Sequence, residues 1–236
     1  MVEEHRFKLR RKRSSWSPFK ILAWGLSPKD IDGERNRWWR GVYALLESML
    51  VSMPSCYAAP MRLRDAVDML SDSGVEALER TTWADLGCGG GTFTLALAEL
   101  LTAGSTIHAM DLDGAALRRI PAVHSDVRIA THCGDFTNQP WPFTDLDGIL
   151  MANSLHYVEK PAPFIRACES QMKPQRRFLV VEYDTDVRSR WVPYPVSQTR
   201  LNALFERAGY SSISVLRTRP SVYRRAPLYA VSIAQL

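Results

Sequence analysis

The chain has 236 residues, of which 46% are hydrophobic and 23% are charged, proportions that fit one globular domain or one domain with an appendage. Its four cysteines form no Cys-x-x-Cys pair and no Cys/His cluster at metal-ligand spacing, which argues against a metal site and suits the reducing cytoplasm. The longest stretch without Asp, Glu, Lys or Arg runs from Ser48 to Met61 and contains two prolines, so we predict no membrane span.

The formal net charge of +5 is concentrated at the N-terminus. Residues 1–29 contain eight Lys or Arg against two Glu, so the rest of the chain is close to neutral. This distribution predicts a basic, flexible tail over residues 1–29 and a body without the charge of a nucleic-acid binder. Contact of the tail with RNA, an acidic lipid or a protein partner stays open, as does the oligomeric state.

Two helices are predicted between this tail and a regular α/β pattern that begins near residue 81. Apolar residues recur at three- and four-residue steps from Trp38 to Leu50, which predicts a helix that ends before Pro54. A shorter helix is predicted over residues 60–72, with Pro60 at its first position. Both helices are amphipathic and need a surface on which to pack.

After residue 81, short apolar runs alternate with segments of helical length, which predicts a parallel sheet with helices on both faces. Two strand-like runs at the C-terminus have no helix between them and are expected to pair as an antiparallel hairpin. In open α/β sheets the ligand binds beyond the carboxyl ends of the strands. The predicted strands are 82–86, 105–110, 127–131, 147–152, 177–183, 212–216 and 228–233, and the predicted helices are 91–103, 113–120, 161–171 and 197–208.

A glycine-rich loop follows the first of these strands. Gly87, Gly89 and Gly91 permit a tight turn and let a ligand approach bare backbone at the start of a helix. The segment that begins at Asp85 fits the pattern Asp-x-Gly-x-Gly-x-Gly. A dinucleotide-binding pattern would need glycine where the chain has Thr92. The loop therefore indicates a nucleotide-like cofactor.

Two more acids follow strands. Asp111 ends the second strand and can accept hydrogen bonds from both hydroxyls of a ribose. After the third strand, Asp135 can accept from an exocyclic amine and Phe136 can stack on a purine, a combination that selects adenine. An acid that only caps a loop is the alternative at this position, and Asp113 is interpreted as the N-cap of the next helix.

These motifs, with the strand that ends at Asn153, resemble the class I S-adenosylmethionine-dependent methyltransferases over roughly residues 81–236. The resemblance implies a Rossmann-like, doubly wound, seven-stranded α/β sheet, mostly parallel with an antiparallel last strand, behind an N-terminal helical extension. The implied cofactor contacts are Asp85 for the ammonium group, Gly87, Gly89, Gly91 and Asn153 around the methionine end, Asp111 for the ribose, and Leu112, Phe136 and Asp135 around the adenine.

The segment after the fourth strand bears on the methyl acceptor. Its Ser-Leu-His-Tyr-Val sequence is similar to small-molecule methyltransferases of the quinone-biosynthesis type and differs from the motif of amino-group methylases. His156 is the candidate general base for a phenol or carbon acid, and a hydrogen-bonded loop histidine is the alternative. Glu182, Tyr183 and the aromatic segment 191–195 could shape the acceptor site or pack as a lid.

The sequence therefore predicts that a methyl group is transferred from S-adenosylmethionine to a small molecule by in-line displacement, and aromatic molecules are among the candidate acceptors. The helices of residues 30–80 are expected to cover the active site. An RNA or protein methyltransferase that uses the basic tail, and a non-catalytic protein that keeps the fold, are the alternatives.

Overall fold

The computed structural model describes residues 61–76, 79–138, 140–220 and 226–235. The tail predicted over residues 1–29 and the helix predicted to end before Pro54 lie outside the described residues. Within these limits, no helix is long and apolar enough to cross a membrane.

Eight strands within the described ranges form one sheet. They are β1 (Thr82–Leu86), β2 (Thr106–Asp111), β3 (Val123–His124), β4 (Val127–Cys133), β5 (Leu146–Ala152), β6 (Met172–Tyr183), β7 (Ser212–Arg219) and β8 (Leu228–Gln235). Their order across the sheet is β3-β4-β2-β1-β5-β6-β8-β7. The five strands β4, β2, β1, β5 and β6 are parallel, which confirms the α/β alternation predicted from the sequence.

The predicted C-terminal hairpin is confirmed, and its second strand lies inside the sheet. β8 is antiparallel to both β6 and β7, between which it is inserted. Because it has a neighbour on each side, every residue of β8 except the last is buried, whereas β7 at the sheet edge is partly exposed. This explains why the run 228–233 is apolar except for Ser232 and does not alternate.

The structure contains one strand, β3, that is not among the seven strands predicted from the sequence. The two residues of β3 pair with β4 through a tight turn at Ser125 and Asp126, whose φ angles are 49° and 59°. Two successive residues with positive φ are the geometry of a type I′ hairpin turn, which usually carries Asn-Gly. The Ser-Asp pair gives a weaker signal, so this edge hairpin was not predicted.

Helices cover both faces of the sheet. They are α1 (Leu63–Leu70), α2 (Thr92–Leu100), α3 (Gly114–Leu117), α4 (Pro161–Glu169) and α5 (Gln198–Arg207), and a 3₁₀ helix spans Leu155–Tyr157. On one face, α4 and α5 contribute Phe164 and Phe205 to an apolar cluster. On the other face, α1 and α2 contribute Met69 and Leu97 to a second cluster that contains Trp83.

The helix predicted over residues 60–72 is present as the shorter α1. An ion pair from Arg219 to Asp65 at 3.2 Å joins this helix to the edge strand β7, and a second from Arg217 to Asp72 at 2.7 Å joins the turn after it to the same strand. In the sheet register, Arg219 of β7 lies opposite Leu228 of β8, and Leu228 in turn lies opposite Tyr183, the last residue of β6. The N-terminal end of α1 therefore lies at the edge of the sheet where the parallel strands have their carboxyl ends.

Candidate cofactor and acceptor site

The loops after β1 and β5 touch because these strands are parallel neighbours. The Ser154 hydroxyl donates to the Leu86 carbonyl at 2.6 Å, across the two strand ends. A Cβ on Gly87 would lie 2.6 Å from the Ser154 Cβ, and Gly87 has a φ of +78°. Both the backbone angle and the lack of space require glycine at this position.

The other two loop glycines differ in their surroundings. Gly89 has a φ of +53°, and a Cβ built on it would meet no atom within 4 Å. Gly91 has a φ of +83°, but a Cβ there would lie 2.8 Å from the Ile120 side chain. Gly89 thus exposes bare backbone to open space, where a ligand fits, and Gly91 lets the loop pack on Ile120. Contact of Gly91 with the cofactor stays a prediction.

Asp85 is buried beneath the loop with one oxygen unpaired. Its Oδ2 accepts a hydrogen bond from the Thr94 hydroxyl at 2.6 Å, whereas its Oδ1 has no partner among the described residues. Burial and, to a smaller extent, the nearby Asp111 raise the pKa of this carboxyl to about 7, against the lowering effect of the Thr94 hydrogen bond. An unpaired buried oxygen is destabilising, and a ligand that brings N–H donors would satisfy it.

Asn153 carries a second unpaired oxygen on the neighbouring strand end. It directly follows β5 with a φ of 56°, and its backbone N–H donates to the Val181 carbonyl at 2.7 Å. Its buried Oδ1 has no hydrogen-bond partner in the described part of the chain. Asp85 and Asn153 therefore offer two unsatisfied acceptors at the ends of adjacent strands, which suits an amino-acid ammonium group.

Asp111 ends β2 and holds the glycine loop in place. Its Oδ2 accepts from the Gly89 N–H at 2.7 Å, and its Oδ1 accepts from the Asp113 N–H at 2.8 Å. Each carboxylate oxygen can accept a second hydrogen bond, so two ribose hydroxyls can still bind. Leu112, the next residue, is 71% exposed and offers an apolar surface beside the carboxylate.

Asp135 and Phe136 make contacts within their own loop. Asp135 accepts from the backbone N–H and hydroxyl of Thr137 and from the Asn138 amide, which is the loop-capping alternative recognised in the sequence. Phe136 is buried and packs edge-on against Phe164. The contacts of these residues with an adenine ring stay predictions.

His156 lies in the 3₁₀ helix after β5 and is paired with an acid from the next strand. Its Nδ1 is 2.7 Å from Glu182 Oε2, and its backbone N–H donates to Glu182 Oε1 at 3.1 Å. The two side chains are 3% and 1% exposed. The His156 carbonyl accepts from the Tyr194 N–H at 3.0 Å, which fixes the aromatic segment 191–195 above the histidine.

The sequence interpretation named Glu182 only as a wall of the acceptor site. The sequence carried a signal for the His156–Glu182 pair, because the carboxyl ends of adjacent parallel strands meet at one edge of the sheet. Glu182 follows Val181, which pairs with Ala152 of β5, and so lies next to the segment that follows β5. Tyr157, whose ring centroid lies 4.4 Å from that of His156, is 50% exposed, and Trp191 of the aromatic segment is 75% exposed. This edge therefore carries apolar and aromatic surface.

A cavity of about 380 Å³ lies beside this segment, between residues 158–161 and α5. Tyr194, Val196 and Leu204 contribute apolar walls, and none of the predicted cofactor residues lines it. It is therefore separate from the strand ends that carry the cofactor residues. Among the residues that the structure describes, no group of three or more His, Cys, Asp or Glu side chains could hold a metal ion.

The strand order, the inserted antiparallel strand, the glycine loop after β1 and the acid at the end of β2 together define the class I S-adenosylmethionine-dependent methyltransferase fold. Residues 84–175 match the family model described as a methyltransferase domain. This part of the chain is a methyltransferase domain, and the methyl donor of this class is S-adenosylmethionine.

Individual relatives agree with this assignment. A ubiquinone biosynthesis O-methyltransferase of Xanthomonas euvesicatoria is 29% identical over 146 residues, which cover 59% of this chain and 53% of the relative. The chain thus spans about half the length of this curated relative.

Solved structures share the fold at low sequence identity. An S-adenosylmethionine-dependent methyltransferase of Aquifex aeolicus superposes with a TM-score of 0.54 and 18% identity over 75% of this chain and 94% of that one. The magnesium protoporphyrin IX methyltransferase of Synechocystis, solved with S-adenosylmethionine, gives 0.51 and 14% over 74% and 78% of the two chains.

Proposed function

We propose that this chain transfers a methyl group from S-adenosylmethionine to a hydroxyl group of a small molecule. The observation that carries the cofactor part is the pair of unpaired buried oxygens, Asp85 Oδ1 and Asn153 Oδ1, beside the open backbone of Gly89. Polar atoms without partners are rare in folded proteins, and two at adjacent strand ends indicate that a ligand completes the site.

When bound, this cofactor supplies a methyl group on a sulfonium, which leaves as a neutral thioether once the methyl has been transferred. The chain supplies binding and orientation. Asp85 and Asn153 would hold the methionine end, Gly89 would allow close approach, and Asp111 would fix the ribose. These residues fit the group because they present acceptors to its ammonium and hydroxyl donors.

The hydroxyl acceptor is supported by His156. With Nδ1 facing Glu182, Nε2 is the ring atom left to take a proton. A hydroxyl is a weak nucleophile until its proton is removed, so a positioned base accelerates its methylation, whereas a neutral amine needs no base. The relative from Xanthomonas is named as an O-methyltransferase, which agrees with this acceptor class.

The first test is calorimetric titration with S-adenosylhomocysteine. We expect Gly89→Arg to abolish binding, because its side chain would enter the open space beside the loop. Gly209→Arg is a matched control, since Gly209 also has a positive φ and open space around its Cβ position but follows α5, far along the chain from the loop. Equal affinity of the two variants would overturn the cofactor site.

The second test is transfer of an isotope-labelled methyl group to a panel of phenols, catechols and matching anilines, read by mass spectrometry. Methylated oxygen supports the proposal, and product only from the anilines contradicts it. The panel is run with the full chain and with residues 2–29 deleted. Labelling of RNA or protein that needs those residues would favour the alternative function of the basic segment instead.

Coverage of the active site by the helices of residues 30–80 and a cytoplasmic location are part of the same proposal. The described chain begins at the N-terminal end of α1, which lies at the edge of the sheet that carries the site. The cytoplasmic location is proposed because the cysteine pattern of the sequence suits a reducing compartment.

A further inference from the structure

We infer that Glu182 is a positioning residue that fixes the tautomer of His156, so that the proton sits on Nδ1 and the lone pair on Nε2. The use of this lone pair to deprotonate an acceptor hydroxyl depends on the proposed function. The tautomer itself is inferred from the hydrogen bonds of the pair and can be tested without a methyl acceptor.

The geometry is a two-point clamp. One carboxylate oxygen of Glu182 faces the His156 backbone N–H at 3.1 Å, and the other faces the ring Nδ1 at 2.7 Å. The second oxygen also accepts from the Tyr183 N–H at 3.3 Å. Within the described residues, His156 is the basic side chain within ion-pair distance of Glu182. Both side chains are buried, so water does not compete for these hydrogen bonds.

An ionised carboxylate can only accept hydrogen bonds. The ring nitrogen that faces it at 2.7 Å must therefore carry a proton, which assigns Nδ1 as the donor. In neutral imidazole the other nitrogen then holds the lone pair, and this is the atom needed to receive a proton. Among the described residues, the titratable groups that face the ring are Glu182, Tyr157 at 4.4 Å between ring centroids and Tyr183 at 6.4 Å.

Replacement of Glu182 by glutamine keeps the size of the side chain but is expected to reverse which group donates the hydrogen bond at Nδ1. A glutamine has one acceptor oxygen, but three N–H groups face the carboxylate, that of the His156 backbone on one oxygen and those of the His156 ring and the Tyr183 backbone on the other. If the oxygen stays on the His156 backbone N–H, the amide NH₂ faces Nδ1, which must then accept. The proton moves to Nε2, and the ring can no longer act as a base towards an acceptor.

The direct readout is long-range ¹⁵N–¹H NMR of histidine side chains, with the His156 signals assigned by their loss in His156→Gln. We expect the Nδ1–H tautomer in the unmodified protein and the Nε2–H tautomer in Glu182→Gln. Glu182→Asp retains an acceptor-only group and is expected to keep the Nδ1–H tautomer. An Nε2–H tautomer in the unmodified protein would overturn the inference.

The kinetic readout separates positioning from folding. We expect Glu182→Gln to lower kcat about 100-fold, the lower end for loss of general base catalysis, with little change in KM or in affinity for S-adenosylhomocysteine. Glu182→Asp is expected to recover part of kcat. Equal losses of kcat, cofactor affinity and melting temperature in both variants would show a structural role and refute positioning.

Failure of the proposed function gives a different result from failure of this inference. If no hydroxyl acceptor is methylated but the NMR tautomers are as expected, the clamp stands and the acceptor class is wrong. If hydroxyls are methylated and Glu182→Gln has unchanged kcat, the function stands and the role of Glu182 is wrong.

Discussion

Binding of the cofactor to this chain should release a proton from Asp85. Burial holds the pKa of this carboxyl at about 7, and only its ionised form attracts the ammonium group of the cofactor. With such a pKa, about a tenth of the protein is ionised at pH 6 and about nine-tenths at pH 8. If the ionised form alone binds, the Kd for S-adenosylhomocysteine falls about tenfold over this interval.

The assay is calorimetric titration at several pH values in pairs of buffers with different ionisation enthalpies. About 0.9 proton should be released per ligand bound at pH 6 and about 0.1 at pH 8. Asp85→Asn should bind more weakly and lose this dependence. Asp145→Asn is the control, because Asp145 is an exposed carboxyl outside the site. A Kd that is flat with pH, or a slope that persists in Asp85→Asn, would refute the reasoning.

The raised pKa of Asp85 also predicts how the free energy of unfolding of the ligand-free protein depends on pH. The pKa of Asp85 is raised on folding from 3.8 to about 7, so its contribution to stability is fully present below pH 4 and is lost as the pH rises through 7. Asp85→Asn should therefore raise the free energy of unfolding at pH 8, by up to about 4 kcal/mol. Urea unfolding at pH 4 and 8 measures the difference, and an equal effect at both pH values would contradict it.

Three other substitutions test separate parts of the structure. Gly87→Ala would place its Cβ 2.6 Å from that of Ser154 at positive φ, and should lower the free energy of unfolding by about 2 to 4 kcal/mol in urea titration. Asp111→Ala should weaken S-adenosylhomocysteine binding by about 1 to 3 kcal/mol in calorimetry, and an unchanged Kd would exclude the ribose role. His108 Nδ1 and His132 Nε2 are 3.0 Å apart, and burial lowers the pKa of both rings. Their contribution to stability should be present above about pH 6.5 and lost as the pH falls below it, and His132→Gln should reduce that loss in urea unfolding between pH 7.5 and 5.

The sequence predicted the order of elements because each signal is local. The parallel strands are apolar runs bounded by turn residues, and the helix after the glycine loop begins directly after Gly91, as expected. Helix ends were less well predicted. The segment 113–120 forms only the short helix α3, because its last residues before Pro121 make 3₁₀-type hydrogen bonds, from each N–H to the carbonyl three residues earlier.

The sequence predicted the glycine loop more completely than it predicted the contacts of the side chains around it. Asp111 ends β2, where the sequence pattern places it, and its hydrogen bond to Gly89 joins the two motifs, whereas its contact with a ribose stays a prediction. Asp135 and Phe136 matched a motif, but their present partners are the residues of their own loop and a core phenylalanine. A motif specifies residue type and spacing, and the direction of a side chain depends on what packs around it.

The sequence by itself determined the class of fold and the cofactor loop, because strand and helix periodicity and glycine turns depend on neighbours in the chain. Only the tertiary structure decided which distant groups meet at the strand ends. Ser154 reaches Leu86 across 68 residues, and Glu182 clamps His156 across 26. Such contacts follow from strand order and register, which bring the ends of β1, β5 and β6 to one edge and leave Asp85 buried with an unpaired oxygen.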